Sequence, residues 1–227
     1  LSIYTPSEFI HNSARDKYFD DDDFSGGLSV GREKGIRRLM SINLLKRLES
    51  SVYSFRLTTR RIKNLIDVTI QMIDDKSKNI DAIDLSEIDD DFEFDDQNTE
   101  LFSVGKKIKI DLADMDCQSW RESLLQDSES LGALLLFMDE IEPKDDEKLK
   151  SLMSVIKDKI ENPINDENKK ILIFSAFSDT AEYLYNHISQ YAKSAFGLNT
   201  ALITGNVEGR TNCSKLHADF NSVLTCF

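Results

Sequence analysis

With 227 residues, 40% of them apolar, the chain can bury one sizeable core or two small ones. A net charge of −13 excludes a surface that is a nucleic-acid footprint throughout and leaves room only for a locally basic face. No apolar run approaches the ~18 residues of a membrane span and no basic-then-apolar leader opens the chain, so a soluble cytoplasmic protein without membrane contact is expected. Cys117, Cys213 and Cys226 are scattered, and His11, His187 and His217 add no ligand spacing, so neither a disulfide framework nor a metal site is expected.

Residues 1–31 show little periodicity and read as an N-terminal tail and linker. Asp20-Asp21-Asp22-Asp23 and Ser25-Gly26-Gly27 mark a solvated connector, and Tyr4-Thr5-Pro6-Ser7-Glu8-Phe9-Ile10 reads as an apolar hook that docks on a neighbour. Residues 32–77 read as one long helix. Leu45, Leu48, Val52, Phe55, Ile62, Ile66 and Ile73, with Thr59 and Thr69, fall on a four-three alternation with no Gly or Pro after Gly35. Run from 32 to about 74, it would span about 60 Å. Its other faces concentrate the basic charge, among them Arg32, Lys34, Arg37, Arg38, Lys46, Arg47, Arg56, Arg60, Arg61 and Lys63. They read either as a phosphate-facing stripe or as a solvated face paired with the chain's abundant acid.

Residues 78–105 read as an acidic linker, with Asp89-Asp90-Asp91, Glu93, Asp95 and Asp96 and only sparse apolar anchors. The run lacks the central Gly and terminal Glu of a calcium loop. Lys106-Lys107-Ile108-Lys109-Ile110 alternates like a short edge strand. Residues 106–165 then form a helical insertion, with helices over 117–142 and 144–161 broken near Pro143. Leu124, Leu131, Leu135, Met138 and Ile141 line the first helix, and Leu149, Leu152, Met153, Ile156 and Ile160 the second. One apolar stripe each means that neither stands alone, and the long helix is the expected partner in a coiled-coil-like arm. Trp120 reads as a packing anchor rather than a base-stacking platform.

Residues 166–227 carry the densest pattern. Ile171-Leu172-Ile173-Phe174 reads as a strand buried on both faces, followed by a helix opened by Ser178 and Asp179, with Glu182 placed for a capping box and Tyr183, Leu184, His187, Ile188 and Tyr191 on one stripe. Thr200-Ala201-Leu202-Ile203 reads as a second strand ending at Thr204-Gly205, with a helical pattern after it. This order predicts a parallel βαβα unit, and with the arm an α/β fold class.

The same residues carry a resemblance. The run from Ile171 through Phe174, Ser175, Ala176, Phe177, Ser178, Asp179 and Thr180 is similar to the motif IV region of superfamily-two helicases and Swi/Snf-type translocases. Ile203-Thr204-Gly205 resembles the next strand end, and Asp219-Phe220-Asn221 the helix end that follows. Leu44-Leu45-Lys46-Arg47-Leu48-Glu49-Ser50-Ser51 resembles the helix joining the two lobes in the bacterial Swi/Snf-like branch. The resemblance covers about a third of the chain. It implies an interlobe helix, a helical protrusion, and the start of a second RecA-like lobe within an ATP-dependent, DNA-acting helicase or translocase using ATP and Mg²⁺.

Such a motor needs a phosphate-cradling G-x-x-x-x-G-K-[ST] loop and an acidic pair for Mg²⁺. Gly26, Gly27, Gly31 and Gly35 have no Lys-Ser/Thr in register, and no nucleophile–base pair stands out, so these residues are expected to be inactive as an ATPase by themselves. What remains is nucleic-acid contact at strand ends and helix N-termini: Ser175, Ala176, Phe177 and Ser178 after the first strand, and Thr204, Gly205 and Asn206 after the second. The same residues also fit a plain helix cap and a turn. Arg210 reads as a surface residue at a helix start and His187 as a core-edge histidine. Two strands leave an open edge, which predicts either pairing with another copy or stabilisation mainly by the helical arm. The alternative from another class is a non-enzymatic interaction module whose coiled-coil arm recruits a protein partner. A small nucleotide-binding α/β protein is weakened by the missing Gly-rich loop.

Overall fold

The computed structural model describes residues 1–18, 30–75, 82–84, 109–205 and 209–227, with side chains for all of these except 30–32, 82–84 and 109. The expected linker lies outside the described residues except at 30 and 31, which are helical, and nearly all of the acidic segment over 78–105 and Asn206 also lie outside them.

The helix expected from 32 to about 74 divides at Ser51 into α1 (Val30–Ser50) and α2 (Val52–Asp74). The Ser51 N–H closes the last turn of α1 on the Arg47 carbonyl at 2.9 Å, while its hydroxyl accepts from the Ser54 N–H at 3.0 Å. A side-chain acceptor in the N-cap position lets one helix end and the next begin without Gly or Pro.

The break resets the helical phase. In α2, Ile62, Ile66 and Ile73 are buried together with Thr59 and Thr69, as the four-three spacing predicts, and Ile70, off that spacing, is buried as well. In α1 the buried residues are Glu33, Ile36, Met40, Asn43 and Arg47, also at four-three spacing, whereas Leu45 is 64% exposed and Leu48 is exposed as well. The seam drawn through Leu45 and Leu48 is therefore corrected. The inward face of α1 is partly polar, so hydrophobicity picks out its outward face instead.

The chain forms two compact units, Leu1–Lys46 with Phe55–Met138 and Arg47–Ser54 with Asp139–Phe227. In the first, α3 (Cys117–Asp139) starts at Asp116, whose carboxylate accepts from the Ser119 N–H at 3.1 Å. Trp120, Leu124, Leu131 and Met138 of α3 are buried. Ser128 donates to Asp67 of α2 at 2.6 Å, and Arg121 reaches Asp74 at 2.5 Å. The N-terminal hook docks within this unit as three 3₁₀ turns, Ser2–Tyr4, Pro6–Phe9 and Asn12–Lys17. Trp120 is fully buried and donates its indole N–H to the Ser2 carbonyl at 3.3 Å, as a packing anchor does. Of the edge strand expected over 106–110, Lys109 and Ile110 lie in β2 (Lys109–Asp111), antiparallel to β1 (Ala82–Asp84), and 106–108 lie outside the described residues.

In the second unit, α4 (Glu147–Glu161) is capped by Asp146, which accepts from the Leu149 N–H at 3.0 Å. Its stripe of Leu149, Ile156 and Ile160 packs with Tyr183, Ile188 and Ala192 of α5 (Ser178–Phe196), with Tyr53 at the edge. The partner of α4 is thus α5 rather than the long helix: two one-sided helices from neighbouring segments satisfy each other. Helix α5 ends at Gly197, whose φ of 69° lets its N–H and that of Leu198 turn back on Lys193 and Ala192. Helix α6 (Phe220–Cys226) is capped by Asp219.

The parallel βαβ pairing is corrected. Residues 171–174 form no strand, and β3 (Ala201–Leu202) pairs antiparallel with β4 (Arg210–Thr211). A doubly buried strand needs strands beside it and cover on both faces; here Leu172 and Phe174 are 65% and 88% exposed. Arg210 stands in β4 rather than at a helix start, and it is exposed as expected of a surface residue. The described residues make a mainly helical α/β architecture, with six α-helices and two antiparallel strand pairs. None of the described helices is long and apolar enough to cross a membrane.

Candidate functional site

The residues expected to contact nucleic acid fall into two short segments of the second unit. Ser175 and Phe177 form a local turn: the Ser175 hydroxyl donates to the Phe177 carbonyl at 3.1 Å and accepts from the Phe177 N–H at 3.2 Å. Ser175 and Ala176 are exposed, but Phe177 is buried. Its ring lies under the Arg47 guanidinium, 4.6 Å from ring centroid to carbon. After β3, Thr204 is half-buried and Gly205 is exposed, with open space where a Cβ would stand.

The helix opening differs from the expected capping box. Phe177, in extended backbone, occupies the N-cap position and supplies no side-chain cap, and Asp179 lies in the first turn. Its carboxylate accepts from Arg47 Nη1 at 2.9 Å, close to the positive end of the α5 dipole. The same Nη1 donates to the Ser54 hydroxyl at 3.2 Å. Next along, the Thr180 hydroxyl lies 2.9 Å from that of Ser50 and 3.0 Å from that of Ser51. One turn further, Tyr183 stacks on Tyr53 at 5.1 Å and meets the His187 ring edge-on at 4.7 Å. Lys148 of α4 donates to the Glu49 carbonyl, and the Tyr183 hydroxyl donates to Asp146 at 2.9 Å.

The segment Arg47–Ser54 is therefore an elbow clasped to the first two turns of α5 by an ion pair, a hydroxyl cluster and an aromatic stack. Sequence reasoning placed Arg47 on an outward basic stripe and missed this arrangement. The signal was there: Glu33, Ile36, Met40, Asn43 and Arg47 keep a heptad spacing of their own.

Among the described residues, the buried carboxylate is that of Glu33, in the first unit. Glu33 accepts from the N–H of Ser7 at 3.2 Å and from its hydroxyl. Burial pushes its pKa up to about 7, against the two Ser7 hydrogen bonds that favour the charged form. Its bonds are made to the docked hook, so it acts as a latch rather than a general base. Among the described residues, no group of three His, Cys, Asp or Glu side chains is placed to hold a metal ion.

No protein-family model, curated protein or solved structure matches the chain.

Proposed function

We propose that these residues are part of an ATP-driven nucleic-acid translocase of the superfamily-two, Swi/Snf-like kind, acting on DNA in the cytoplasm, with the elbow as the coupling between lobes. The observation that carries the reading is the meeting of the two sequence blocks that bear the resemblance. Arg47, Ser50 and Ser51 of the 44–51 block contact Phe177, Asp179 and Thr180 of the 170–184 block. A helix that joins two lobes transmits motion only if its end is fixed to the lobe it enters, and this clasp fixes it. In this reading 166–227 belongs to the second lobe, and Ser175, Ala176, Thr204 and Gly205 touch the phosphate backbone. Phe177 serves by packing under Arg47.

The residues present do not fit an ATP–Mg²⁺ site. Gly197 is followed by Leu198 and Asn199, Gly205 by Asn206, and neither by the Lys-Ser/Thr of a phosphate loop. The nucleotide therefore belongs to the proposed whole motor, and no hydrolytic step is assigned to this chain. The test is ATP turnover, with and without duplex DNA, by the protein of the full reading frame, together with DNA binding by Ser175→Ala and Thr204→Ala variants. DNA-stimulated turnover with weakened binding in both variants is expected. Absence of turnover, with a protein partner retained by residues 32–161, favours the interaction-module reading instead.

A further inference from the structure

Helices α1 and α3 each carry a second apolar face, directed away from the core of the first unit. In α3 the inward residues Trp120, Leu124, Leu131, Leu135 and Met138 use only one side. Its last turns read Leu134-Leu135-Leu136-Phe137-Met138, apolar all round, and Leu136 and Phe137 are each 72% exposed. A helix apolar on every side is ordinarily covered on every side. Glu122, Glu129 and Leu136 follow at seven-residue intervals, so two exposed carboxylates extend this outward stripe.

The outward face of α1 has the opposite charge. Leu39, Ile42 and Leu45 are exposed, and Lys34, Arg38 and Lys46 lie among them, also exposed. No acidic residue occurs from Lys34 to Lys46. Among the described residues, one chain thus presents an apolar stripe with acidic flanks and an apolar stripe with basic flanks, both exposed. Pairing α3 with α3 sets acid against acid, and pairing α1 with α1 sets base against base. Only the mixed pairing joins apolar to apolar and opposite charges at once.

We propose that the α3 face of one molecule docks on the α1 face of a second copy, so that the chain self-associates head to tail. The contact is heterologous: each copy uses one face and leaves the other available, and assembly runs on to a closed ring or an open chain. Two or three helical turns on each side make a small interface, so the association is concentration-dependent. The proposal stands apart from the translocase reading and from the exposed run at 171–174.

The test is sedimentation velocity on the whole chain across a micromolar concentration series, with two double variants. Ile42→Ser with Leu45→Ser removes the α1 face, and Leu136→Ser with Phe137→Ser removes the α3 face. All four side chains are exposed, and circular dichroism checks that the helices persist. The unaltered chain is expected to form species larger than a dimer, each variant alone to be monomeric, and an equimolar mixture of the two to form a one-to-one dimer and nothing larger. Phe174→Ser, in the other unit, is expected to leave the association unchanged. The proposal is overturned by a chain that stays monomeric throughout, by either double variant still associating alone, by a mixture that stays monomeric, or by loss of association in Phe174→Ser.

Discussion

Arg47 and Asp179 stand 132 residues apart in the sequence, yet the guanidinium and the carboxylate meet at 2.9 Å. Their side chains are 5% and 14% exposed, so the pair is largely removed from water. Removing one partner of such a pair costs about 3–5 kcal/mol, because the other is left uncompensated. Arg47→Ala also loses the contact over Phe177 and the bond to Ser54. Arg47→Ala is therefore expected to destabilise the second unit more than Asp179→Asn does, with a favourable coupling between them in a double-mutant cycle by urea unfolding. Purely additive effects would mean that the pair contributes nothing.

Glu33 makes the stability of the first unit depend on pH. Its folded pKa is raised from 4.5 to about 7, so between those values the folded state holds a proton that the unfolded state has lost. Stability is then complete below about 4.5, falls as pH rises through 7, and levels off above, with an upper bound of about 3 kcal/mol. Glu8, beside the hook's Ser7, raises the pKa further, and Arg37 lies within 4.0 Å of Glu8. Glu33→Gln keeps an acceptor for the Ser7 N–H and removes the charge. Chemical denaturation at pH 5 and pH 8 is expected to show a smaller difference in the variant than in the unaltered chain. An unchanged slope would place the titration on another group.

Trp120 is the single tryptophan and fully buried, so its fluorescence reports directly on the docked hook. Trp120→Ala is expected to cost about 3–5 kcal/mol through lost burial and the cavity left behind. In the unaltered chain, emission is expected to be blue-shifted, and Ser2→Pro, which removes the Ser2 N–H that donates to Asp127 at 2.5 Å, to shift it toward the red.

The Tyr183 hydroxyl donates to Asp146, which also caps α4. Tyr183→Phe keeps the ring that stacks on Tyr53 and removes this bond to a charged group, for an expected loss of about 1.5–3 kcal/mol. Unfolding of the second unit followed by circular dichroism measures it. A neutral effect would mean that water replaces the phenol without penalty.

Periodicity made the helices of the arm legible: α3 and α4 lie close to where their apolar stripes put them, and the isoleucines of α2 face inward as spaced. The phase of α1 was not legible, because its inward face includes Glu33, Asn43 and Arg47, and a hydrophobic reading chose the exposed Leu45 and Leu48 instead. The break at Ser51 escaped for a related reason: a serine that caps a helix also sits tolerably inside one. Residues 171–174 have the composition of a buried strand, but composition does not supply the neighbouring strands that such burial requires. At the candidate site, Ser175 and Phe177 were named from an expected strand-to-helix junction whose strand is not formed, and Arg47 was hidden by distance along the chain.

The central proposal is that the Arg47–Ser54 elbow couples the lobes of an ATP-driven motor acting on DNA. It is tested most directly by ATP turnover of the protein of the full reading frame, measured with and without duplex DNA, for the unaltered protein and for Arg47→Ala. The account predicts turnover that duplex DNA stimulates and that loses this stimulation in Arg47→Ala. Turnover absent under every condition would contradict the motor reading, and stimulation fully retained in Arg47→Ala would contradict the role given to the elbow.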